Sequence, residues 1–85
     1  VEKEIGEVIM EVPGVKCFHN LKTRKNGNTY IIDVHIMLNR RISFIRSHDI
    51  ATEVENILKR RYGIHTQVGV HTEPYLVGPH GDEEE

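Results

Sequence analysis

The chain has 85 residues, enough for one domain and no more; at this size only about two-thirds of the unfolded surface is buried, so the core is thin. Hydrophobic residues make up 38 % and charged residues 28 %, a globular composition rather than a disordered or fibrous one, and no apolar run in it is long enough to span a membrane. The formal charge is −2, but Asp82 to Glu85 holds four of the thirteen acids, so residues 1–81 carry nine acids against eleven Lys and Arg, a body charge of +2, too weak to argue for nucleic acid.

Residues 1–12 place Ile5, Val8, Ile9 and Val12 on one face of a helix. Glu2, Glu4 and Glu7 lie near its start, where the helix dipole favours acids. Pro13 and Gly14 stop it. Residues 15–24 are β-capable but mixed in pattern. Asn26-Gly27 then signals a hairpin. From Thr29 to Leu38 the chain alternates. Tyr30, Ile32, Val34, Ile36 and Leu38 form a core face; Ile31, Asp33, His35 and Met37 form a half-polar one. Ser43 caps a second helix that runs to Tyr62, with a buried stripe of Ile50, Ala51, Val54, Ile57 and Leu58 and with Gly63 as its stop. Residues 64–73 form a last strand that Pro74 terminates. It carries Val68, Val70 and Thr72 on one side and His65, Gln67, Gly69, His71 and Glu73 on the other.

The order is therefore α-β-β-α-β, an α+β, ferredoxin-like sandwich. The β-α-β crossover is expected to be right-handed with parallel strands, giving a three-stranded mixed sheet with both helices on one face. A three-stranded sheet with a bare face is marginal, so a metal, a second copy of the chain, or both should cover it. Residues 1–76 form the domain. Residues 77–85 read as a disordered acidic tail. The charged opening Val1-Glu2-Lys3-Glu4 is no signal peptide, and the lack of an initiator Met suggests a piece of something longer.

Six histidines against five aromatics is an unusual ratio. His35, His71 and Glu73 share the open sheet face; His19 lies on the neighbouring first strand, and His48 sits near the start of the second helix. Imidazoles and a carboxylate within reach of one another suit zinc, singly or as a pair of ions sharing the carboxylate. The same donors also take other divalent transition metals. The spacings of sixteen, thirteen and twenty-three residues between successive histidines of this set match no short zinc-finger pattern. The expectation rests on convergence across strands instead. His65 and His80 read as solvated.

Several short motifs recur in one order: Val12-Pro13-Gly14-Val15, His19-Asn20-Leu21-Lys22-Thr23-Arg24, Gly27, Asp33-Val34-His35, Ser47-His48-Asp49-Ile50-Ala51 with Val54-Glu55, and Val70-His71-Thr72-Glu73-Pro74. The series resembles the C-terminal cytoplasmic domain of the cation diffusion facilitator family of zinc and divalent-metal transporters. The resemblance implies a metallochaperone-like fold and a homodimer. It also implies an N-terminal membrane domain outside these residues, and a place on the cytoplasmic side of the cell membrane. It implies that His19, His35, His48, His71 and Glu73 bind cytoplasmic zinc near the dimer interface. Asn20 and Lys22 depart from the Asp and Arg usual in the family, at positions that are not ligands.

The remaining residues read mostly as structure. Lys22, Arg24 and Lys25 form a surface patch that could touch a membrane. Cys17 reads as a packed thiol, Phe18 and Phe44 as core, and Asp33 and Asp49 as either acceptors orienting histidines or plain surface charge. A hydrolytic enzyme lacks a nucleophile motif and room for a cleft. An RNA-binding module needs aromatics on the open face, where His, Asp and Glu stand. A stand-alone metal- or small-ligand-binding module is the alternative reading.

Overall fold

The computed structural model describes residues 2–76. The proposed tail at 77–85, with His80, lies outside the described residues. The elements are α1 (Glu2–Met10), β1 (Cys17–Asn26), β2 (Thr29–Asn39), α2 (Phe44–Tyr62) and β3 (Gln67–Tyr75). This is the α-β-β-α-β order that the periodicities predict, in a metallochaperone-like fold.

The sheet order is β1-β2-β3. β1 runs antiparallel to β2, and β3 runs parallel to it, as a crossover through α2 requires. The alternation of β2 decides the layers. Ile32, Val34, Ile36 and Leu38 are buried, and they meet Ile5, Val8 and Ile9 of α1 and Ile50, Val54 and Leu58 of α2 in one cluster. Both helices therefore lie on the same side, and the odd-numbered residues of β2 look out from the other.

Local signals fix the ends. The Ser43 hydroxyl accepts from the Arg46 N–H at 3.0 Å, which satisfies one orphan donor of α2. The Gly63 N–H closes the far end on the Lys59 carbonyl at 2.9 Å. In the turn after α1, Gly14 adopts φ +99, and a Cβ there would come within 2.5 Å of Ile50 Cδ1. The turn thus needs a residue that tolerates positive φ and takes no space.

Four details depart from the sequence pattern. The hairpin turn is Gly27-Asn28 rather than Asn26-Gly27, because Asn26 pairs with Thr29. Gly27 takes φ +66, as the first central residue of a type II′ turn does. Pro74 does not terminate β3; it pairs with Leu38 inside the strand. β3 is an edge strand, where a missing N–H breaks no ladder. Phe44 is not core: it is 83 % exposed. It sits six residues before Ile50, well off the helix stripe, whereas Phe18 does pack on the core. Finally, the ladder between β1 and β2 shifts between His19 and Lys22, with Asn20 at φ 54. This bulge explains the mixed pattern of β1. It turns Leu21 towards the core and returns Lys22 to the open face opposite Asp33.

Candidate metal centre

The open face carries two neighbouring cross-strand rows. In the first, His19 pairs with His35 and His35 with His71. In the second, Cys17 pairs with Met37 and Met37 with Glu73. Directly opposed side chains on a pleated sheet stand about 5 Å apart, so three imidazoles line up across the whole sheet. The rings of His19 and His35 meet edge to face with centroids 5.2 Å apart. Those of His35 and His71 stack at 4.7 Å.

Glu73 reaches back from its own row into the imidazole row. The Nε2–H of His19 donates to one carboxylate oxygen at 2.9 Å, and the Nδ1–H of His35 to the other at 2.6 Å. These hydrogen bonds, that from His35 first, hold the Glu73 carboxyl below the usual carboxylate range.

One ligand atom each from His19, His35 and Glu73 fall within 4.8 Å of one another. Bonds of about 2.1 Å to a tetrahedral ion place ligand atoms roughly 3.4 Å apart. The carboxylate would thus open slightly from each imidazole as an ion takes the place of the two shared protons, each ring carrying its single proton on the nitrogen that faces away. The donor set, two nitrogens and an oxygen, suits a borderline divalent cation.

The other proposed ligands stand differently. His71 is exposed and belongs to the imidazole row through its stack on His35, but it lies outside the three-atom group. His48 is exposed on α2. That helix packs on the opposite side of the sheet, so one chain does not bring His48 to the group. His65 precedes β3 and is exposed. Asp33 is exposed and stands over Gly69 of β3. Sequence reading missed that Glu73 would span both imidazoles. It also missed Met37 as the partner of Cys17, though once the strands are registered, the even spacing of Cys17 to His19 and of His35 to Met37 contains it.

Residues 1–75 match the family described as cation efflux protein, cytoplasmic domain. The chain belongs to this family, as its ordered motifs anticipate. Over 77 residues it is 31 % identical to the cation-efflux pump FieF of Salmonella typhi, an alignment covering 91 % of this chain and 26 % of that protein. The FieF of Escherichia coli O1:K1 / APEC is equally similar, with 91 % of this chain and 25 % of the relative covered. The chain thus spans about a quarter of the length of the curated relatives it matches. Among solved structures, the MamM C-terminal domain superposes with a TM-score of 0.78 at 22 % identity, covering 86 % of this chain and 92 % of that one. A nickel form of a variant of the same domain gives 0.78 at 20 % identity, covering 86 % and 92 %. A cadmium form of another gives 0.78 at 20 %, covering 86 % and 91 %. These likenesses show the fold. No helix among the described residues is long and apolar enough to cross a membrane.

Proposed function

We propose that this chain is the cytoplasmic regulatory domain of a divalent metal cation efflux transporter, with zinc the first candidate metal. It works as a homodimer joined to an N-terminal membrane domain, on the cytoplasmic side of the cell membrane. The observation that carries this reading is the closure of His19 and His35 on the two oxygens of one carboxylate, Glu73, from three different strands. His71 stands beside them in the same row. His48 cannot join within one chain and is the ligand that a second protomer would supply.

Regulation then follows from linkage. An ion that binds one arrangement of two protomers better than another shifts the population towards it, by no more than that difference in affinity. Transport would occur in the membrane domain; this domain biases it. The stand-alone binding module is disfavoured by the family to which the chain belongs.

Calorimetric titration with zinc tests the site. His35→Ala and Glu73→Ala are expected to weaken binding at least about tenfold, a loss that even the outer partners of metal ligands produce. His65→Ala should leave binding unchanged. Equal effects from all three variants would place the metal elsewhere.

A further inference from the structure

Cys17 and Met37 face each other across the β1–β2 ladder, and the thiol points at the thioether with sulfurs 3.3 Å apart. Neither belongs to the buried core. Both stand half-buried on the open face, one row from the imidazoles. We propose that this pair is a second, softer metal site that binds monovalent copper.

The chemistry separates it from the His/Glu centre. A thiolate with a thioether is the donor set that selects Cu(I), whereas imidazole and carboxylate suit divalent ions. Cu(I) also accepts two or three ligands, so two sulfurs suffice where zinc needs four groups. Metal–sulfur bonds of about 2.3 Å leave two ligand sulfurs some 4 Å apart or slightly more. The pair would therefore part by about an ångström, a movement that the unbranched, three-torsion Met side chain allows. The thiol proton leaves to solvent as the sulfur binds, and no electron is transferred. His19 lies two residues from Cys17 on one strand, and His35 two residues from Met37 on the other, all on the same face. Either imidazole can serve as a third ligand. A cuprous ion in the sulfur row would then draw an imidazole away from Glu73, so copper opposes divalent binding one row across.

The test is an anaerobic titration of the 85-residue chain with Cu(I), in competition with a chromophoric cuprous chelator and with zinc calorimetry in parallel. Cys17→Ser is expected to weaken Cu(I) about a hundredfold and Met37→Leu about tenfold, the range found for groups that hold a metal in place. Zinc affinity should stay within about threefold in both, as for surface changes generally. X-ray absorption of the copper form should show two sulfur neighbours, and one in Met37→Leu. That variant nearly conserves volume and keeps the fold, so it remains informative if Cys17→Ser unfolds. Unchanged Cu(I) affinity in Met37→Leu, or a copper shell without sulfur, would overturn the proposal. So would a folded Cys17→Ser variant that loses zinc as strongly as copper. Failure of the His/Glu reading looks different: zinc binding indifferent to Glu73→Ala while the copper result stands.

Discussion

The two oxygens of Glu73 are each engaged by a different imidazole, so a single side chain sets the charge and the geometry of the centre. Its depressed pKa has a definite sign. The folded state holds the Glu73 proton more weakly than the unfolded chain, whose value is near 4.5. The resulting stability is full above that value and is lost as pH falls through the lower, folded one. Urea unfolding of the metal-free chain should therefore weaken below pH 4.5. Glu73→Gln should flatten that acid limb by lowering stability near neutrality, so that variant and wild type converge in acid. An identical acid limb in the variant would show that the two hydrogen bonds do not survive in solution.

Among the elements, those with an unbroken period were legible and those with an interruption were not. α1 and α2 bury one stripe each, and β2 alternates without a fault, so their faces follow from the sequence period alone. β1 could not, because Asn20 in the left-handed region inserts a residue and reverses the parity on either side of it. Phe44 misled for another reason: hydrophobicity predicts burial only where the helix phase also points inward. Gly14 was legible as a stop, but its clearance from Ile50 was not, since that depends on a helix thirty-odd residues later. Gly14→Ala should cost about 1–3 kcal/mol, the usual range for forcing a side chain into a sparsely populated backbone conformation. Ile50 would have to move as well. Thermal unfolding would measure the loss, and a change below about 0.5 kcal/mol would mean that the turn relaxes freely.

For the whole molecule, both described helices lie on one side of the sheet, and its other side mixes Ile31 and Met37 with the imidazole row. That composition fits a surface covered by a second copy, and sedimentation should give a dimer at tens of micromolar chain, tighter with zinc. A monomer under both conditions would remove the regulatory reading. Zinc at a hundredfold excess over its dissociation constant should add about 2.7 kcal/mol to stability if it binds only the native state. The gain should shrink between pH ~7.5 and ~5 as protons compete for the imidazoles. Register made the site partly readable: His-x-Glu on one strand and His on its neighbour must share a face. The carboxylate spanning two rows depends on a side-chain rotamer, which no spacing encodes. His48 lies beyond what one protomer's geometry can address.

His19 and Glu73 are 54 positions apart along the chain, on the two strands that border the sheet. An ion gripped by both, with His35 between, fastens the molecule nearly end to end, much as a long-range covalent cross-link does. Unlike such a cross-link, the ion acts on the native state alone and is released when the chain unfolds. It also changes how the native sheet comes apart. Without the ion, either outer strand can fray by itself, since each is held along one side only. With it, neither can leave unless the fastening opens, and the amides of β1 and β3 should exchange their hydrogens at one common, slower rate. A metal that merely decorated the surface would slow one strand and leave the other as it was.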